Sequence, residues 1–129
     1  MKKAVIVLVI LLIGIFLFGC TDNEKSALEK CDELQSSSVI YNCYSGVAIQ
    51  TKDFFICEKI PDLSFKNACN RDVAIETEDE LNCEKVLELY NNEKSMCYLQ
   101  ISRKKDDKTI CNNITKEPLK AGCMNAVPY

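Results

Sequence analysis

Thiol is the reactive group this chain carries in number: nine cysteines in 129 residues, with no histidine and no tryptophan. Thiolates exchange disulfides or attack substrates, clustered thiolates bind zinc, and oxidised pairs cross-link the chain. Spacing separates these uses. Exchange and zinc sites favour the close C-x2-C arrangement, whereas from Cys31 to Cys123 the intervals here are 12, 14, 12, 14, 14, 14 and 12 residues. Eight thiols on so regular a beat read as a structural repeat closed by four disulfides. The other side chains assemble no catalytic set. Acid–base catalysis usually recruits histidine, and the serines Ser36, Ser37, Ser38, Ser45, Ser64, Ser95 and Ser102 lack the glycines of a nucleophile elbow. The four glycines are scattered, so there is no phosphate-cradling loop. The acidic stretch Glu76, Glu78, Asp79, Glu80 suits the start of a helix. The expectation is a chain that is not an enzyme, with no catalytic residues, no metal site and no cofactor.

The segments that must carry these cysteines begin after an export signal. Lys2 and Lys3 precede an apolar run from Ala4 to Phe18, closed by Gly19 and Cys20 before polarity returns at Thr21 and Asp22. Such a run, about 15 residues, is shorter than the roughly 20 that cross a bilayer core. Leu17-Phe18-Gly19-Cys20 resembles the lipobox of prokaryotic lipoproteins, in which the cysteine is acylated and becomes the first residue of the mature chain. That resemblance implies a signal peptide over 1–19, lipidation of Cys20 and localisation on the outer face of the cell membrane. An uncleaved signal anchor is the alternative. Cysteine parity agrees, because eight pair and the ninth takes lipid. A linker over 20–26 and a repeat domain over 27–129 follow. Loss of Lys2 and Lys3 leaves 14 basic against 19 acidic residues, a net charge of −5 instead of −3. Nucleic acid is therefore not an expected partner, since phosphate recognition needs clustered cations. Export also accounts for the cysteines, because thiols oxidise and stay oxidised outside the cytoplasm.

Aligning the chain on its cysteines shows what recurs. Three residues after each leading cysteine (Cys31, Cys57, Cys83, Cys111) stands Leu34, Ile60, Val86 or Ile114. Four residues after each following cysteine (Cys43, Cys69, Cys97, Cys123) stands Val47, Val73, Ile101 or Val127. Offsets of three and four share one helix face. Val39, Phe65 and Leu119, four residues before the following cysteine, extend the stripe backward, while Glu93 interrupts it in the third unit. That unit has two extra residues between its cysteines, read as a loop insertion that shifts the helix start. Breakers lie between leading and following cysteines: Ser36-Ser37-Ser38, Pro61-Asp62, Asn91-Asn92 and Thr115 to Pro118. Asp53, Asp79 and Asp107 each stand four residues before a leading cysteine, as helix N-caps do, and Thr77 with Glu80 reads as a capping box. Continuous helices of about 22 residues running from each following cysteine into the next unit are the alternative.

Along one helix 12 residues span about 18 Å, while bonded cysteines need Cα atoms within about 7 Å. Partners must face each other across a turn. The expected pairs are Cys31–Cys43, Cys57–Cys69, Cys83–Cys97 and Cys111–Cys123. The rival register, Cys43–Cys57, Cys69–Cys83 and Cys97–Cys111, strands Cys31 and Cys123.

The expected architecture is all-α: a short solenoid of about four disulfide-stapled helical hairpins. The unit, an aspartate, the leading cysteine with its aliphatic neighbour and the following cysteine with its β-branched one, resembles cysteine-bearing helical-hairpin repeats of exported prokaryotic, particularly archaeal, lipoproteins. It is more loosely similar to tetratricopeptide arrays. The resemblance implies protein binding, with an unidentified envelope or extracellular protein as partner and the membrane reached through the lipid. An envelope-structural element or an enzyme inhibitor is the alternative. Asn113-Ile114-Thr115 is a glycosylation sequon, making Asn113 a candidate acceptor. Tyr44 and Tyr98, each directly after a following cysteine, are expected to be half-packed in the core, with Tyr41, Tyr90 and Tyr129 the remaining tyrosines.

Overall fold

A computed structural model describes the backbone of residues 21–88 and 92–127, with side chains from residue 26 onward. The described residues are helical in eight segments: α1 (Thr21–Asp32), α2 (Ser37–Thr51), η1 (Phe54–Lys59), α3 (Leu63–Thr77), η2 (Glu80–Lys85), α4 (Glu93–Lys105), η3 (Lys108–Asn113) and α5 (Glu117–Ala126). The η segments are 3₁₀ turns. Disulfides join α1 to α2, η1 to α3, η2 to α4 and η3 to α5 through Cys31–Cys43, Cys57–Cys69, Cys83–Cys97 and Cys111–Cys123, with Cα separations of 5.6, 5.7, 5.8 and 5.8 Å. The expected register holds, and all eight described cysteines are oxidised. The array is all-α.

Contacts run along the chain. α2 packs on α3, α3 on α4 and α4 on α5, and each η turn fits between the helix before it and the helix it is bonded to. The apolar interior accordingly forms two clusters instead of one. The first runs from Cys31 to Val73 and the second from Ala74 to Val127, so α3 contributes to both. Nearest-neighbour burial of this kind is the organisation of a solenoid.

One joint recurs three times. α2, α3 and α4 end on Lys52, Glu78 and Asp106, at φ 57°, 54° and 50°. The next residue, Asp53, Asp79 or Asp107, donates its N–H 3.0 Å back to the carbonyl of Ala48, Ala74 or Ser102. This is the Schellman closure, made here without glycine. The same aspartate then caps the η turn, its carboxylate accepting from the N–H of Phe55, Leu81 or Thr109 at 2.9, 3.1 and 2.9 Å. Ile60, Val86 and Ile114 close the turn by donating 3.1 Å to the carbonyl of the bonded cysteine. The carbonyl position of the closure demands a small side chain: Ala48, Ala74 and Ser102 are each fully buried, and Ser102 Oγ lies 3.3 Å from Cys111 Sγ.

Several expectations need correction. The segments carrying Cys57, Cys83 and Cys111 are six-residue 3₁₀ turns, not α-helices, because the cap aspartate and the helix-ending residue leave too few residues for a second α-turn. The continuous long helices do not form, for the same reason. Thr77 is not a capping box residue; its hydroxyl donates 2.7 Å to Val73 O inside α3, and Asp79 supplies the cap. Val39 does not extend the buried stripe, being 46% exposed. The stripe residues Leu34 and Val47 are only half-buried, unlike their counterparts, because the first unit has no described unit in front of it. Within the stretch expected as linker, residues 21–26 are helical, as the start of α1. The insertion in the third unit does move the helix start: α4 begins four residues before its cysteine, where α2, α3 and α5 begin six before theirs.

Two outcomes follow for stability. Closing a loop of this size stabilises by roughly 3 kcal/mol through the unfolded chain's lost entropy, and turns this short are marginal alone. Reduction should therefore abolish the cooperative thermal transition and most far-ultraviolet helical signal; an unchanged Tm in excess reductant contradicts this. Glu78→Gly should stabilise by about 0.5–1 kcal/mol, since relief of left-handed strain outweighs the unfolded-state entropy glycine adds. A higher urea midpoint at constant slope is the expected result.

Candidate functional site

The polar architecture is also periodic, with alternation. Residues directly after the following cysteines are Tyr44, Asn70, Tyr98 and Met124. Tyr44 and Tyr98 are not half-packed as expected but buried, at 2% exposure each. Their hydroxyls donate to the carboxylates of Asp32 and Glu84, each the residue following the leading cysteine of the same unit. The second unit breaks the pattern. Its Glu58 turns outward to Lys66 at 3.3 Å, and buried Asn70, too short to follow, has an Oδ1 without a partner in the protein.

Beside each tyrosine–carboxylate pair lies a groove against the next unit. The larger, about 320 Å³, is lined by Glu84, Glu88, Lys94, Ser95, Tyr98, Asn113 and Thr115. The smaller, about 90 Å³, is lined by Cys31, Asp32, Leu34, Ile40, Tyr44, Lys59 and Pro61. Counted from their cysteines, Asp32 and Glu84, Ile40 and Lys94, Tyr44 and Tyr98, Lys59 and Asn113, Pro61 and Thr115 correspond. The two grooves are one feature, repeated two units apart.

Within the larger groove the charges are compensated internally. Hydrogen bonds from Lys94 (2.6 Å) and Tyr98 hold the Glu84 carboxyl below the usual range. Burial pushes Glu88 up, but the Lys116 ammonium at 2.9 Å and the N–H groups of Ser95 and Lys94 more than offset it, leaving its carboxyl lowered. Glu88 thereby caps α4, whose preceding residue Asn92 makes no side-chain cap bond. Asn67 latches the same loop from the second unit: it accepts 2.6 Å from Leu87 N–H, donates 3.2 Å to Leu87 O, and also meets Glu93. Asn67 was not legible in the sequence, where the corresponding positions Tyr41, Ser95 and Ala121 share no chemistry with it. Tyr41 instead crosses the first joint, stacked on Phe65 at 5.3 Å and bonded to Asp72.

The remaining sequence-derived residues divide. Asn113 and Thr115 of the sequon are exposed at the groove mouth, while Ile114 between them is buried. Cys20 and the rest of 1–20 lie outside the described residues, as do Tyr90 and Tyr129. Every described cysteine is in a bridge, so none of them is a thiolate that could ligate a metal or attack a substrate. Among the described residues no helix is long and apolar enough to cross a membrane. Comparison with known proteins finds no matching family model, no matching curated protein and no matching solved structure.

Burial and the hydrogen bond to Asp72 push the Tyr41 phenol up to about 12, burial and Asp32 do the same for Tyr44, and burial with Glu84 raises Tyr98 further. A raised folded-state value means that the stability these groups contribute is complete below the ordinary phenol value of 10 and is lost as pH climbs toward 12. Phenolate absorbance of the oxidised native chain should lag behind that of the chain in urea across this interval, and Tyr→Phe at 41, 44 and 98 should remove the lag. Coincident native and denatured titrations would contradict the buried pairs.

Proposed function

We propose that this chain is a membrane-anchored extracytoplasmic lipoprotein that acts as a protein-binding or scaffold module. The observation that carries the reading is the thrice-repeated joint, which sets successive stapled turns in register along the array. Side chains at equivalent positions then fall in rows, and rows on a stiff scaffold are what an extended protein contact uses. Four disulfides hold the array where the surroundings are oxidising. The lipobox-like Leu17-Phe18-Gly19-Cys20 supplies the attachment, with acyl chain at Cys20 and the array on the outer face.

Mass spectrometry of protein extracted from membranes should find residues 1–19 removed and a lipid on Cys20, and Cys20→Ser should abolish both, leaving Met1 and the apolar run from Ala4 to Phe18 in place. A wild-type chain recovered with Met1 in place and no lipid overturns the anchoring.

A further inference from the structure

Phe55 and Leu81 are 75% and 76% exposed, far more than any other large apolar side chain among the described residues. They are equivalent, each two residues after a cap aspartate and two before a leading cysteine, with Thr109 at the third position. Their backbone N–H groups are the ones held by Asp53 and Asp79, so each apolar side chain springs from beside a carboxylate. Around Leu81 the chain reads Glu76, Glu78, Asp79, Glu80. Two lysines answer part of this charge, Lys104 pairing with Glu76 at 3.2 Å and Lys105 with Glu80 at 2.8 Å. The chain also supplies a cation to this row from within. The Lys85 ammonium lies 4.0 Å from the ring centre of Phe54 and 5.1 Å from that of Phe55.

We propose that the Phe55–Leu81 row is a docking surface for an extended segment of another protein, which sets apolar side chains along the row and Lys or Arg beside Asp53, Glu78 and Asp79. Phe55 and Leu81 hold equivalent positions in successive units, and an extended segment, whose side chains stand in a row along each of its faces, can address both. Charge selects the occupant. An anionic membrane surface and a second copy of this chain would both bring like charge to the acidic rim. The inference rests on the protein-binding reading and names its surface and the character of its partner.

A synthetic peptide repeating Leu-Lys-Thr, titrated into the full-length oxidised chain, tests the chemistry. It should bind, and F55S/L81S and Glu78→Lys should each weaken it by about tenfold, the scale of losing an interface anchor. The same peptide with Glu in place of Lys should not bind. Both side chains being exposed, the double variant should keep its circular dichroism and melting curve. Equal affinity of F55S/L81S and wild type for the lysine peptide overturns the surface. In producing cells, benzoylphenylalanine at position 55 or 81 should crosslink to a basic, apolar segment of another protein. Crosslinks only from position 39 or 63, at the opposite edge of the hairpins, overturn this surface and leave the binding-module reading intact. Crosslinks from 55 or 81 only to lipid or to a second copy overturn it too, and no crosslink from any of the four positions overturns both.

Discussion

The disulfide across each elbow is the constraint on which the rest of the array depends. A six-residue 3₁₀ turn has poor hydrogen-bond geometry and no independent stability, yet η1, η2 and η3 hold the buried Ile60, Val86 and Ile114 against the helices. They do so because one cysteine of each turn is fixed, at Cα separations of 5.7 to 5.8 Å, to a helix that is itself packed on the helix before it. Between units the link is made by backbone. The aspartate that caps each turn is hydrogen-bonded to the last turn of the preceding helix, so covalent and hydrogen-bonded joints alternate along the chain.

A modest interior suits such a construction. Chains of this size bury too little apolar surface to be generously stable, and here part of what is buried is polar: Ser45, Asn67, Asn70, Ser95 and Ser102. Most of these groups work as connectors. Asn67 fastens Leu87 to α3, and Ser102 donates to Asp107 O at 2.7 Å at the joint where its counterparts are alanines. The exposed ion pairs, Lys66–Glu58 and Lys94–Glu84 among them, add little by comparison because water screens them.

The legibility of the chain differed by kind of interaction. The cysteine beat was readable because a bridge imposes a hard distance limit, and the limit eliminates partners on one helix whatever surrounds them. Asp53, Asp79 and Asp107 were readable as caps because capping is local. Val39 misled because an offset of four from Cys43 places it on the right face but says nothing of whether a neighbour covers that face, and near the start of the described array none does. Glu88 as the cap of α4 was hidden, since it stands six residues before the Lys94 N–H it accepts from, farther away than a local cap.

From the sequence alone came the repeat, its bridge register, its all-helical class and its capping residues, all consequences of short-range geometry and covalent reach. Tertiary structure alone decided that Tyr44 and Tyr98 are buried on carboxylates, and that Phe55 and Leu81 stand in water. Those outcomes turn on which residues of the adjoining unit arrive to cover or pair a side chain, and packing between units sets that arrival.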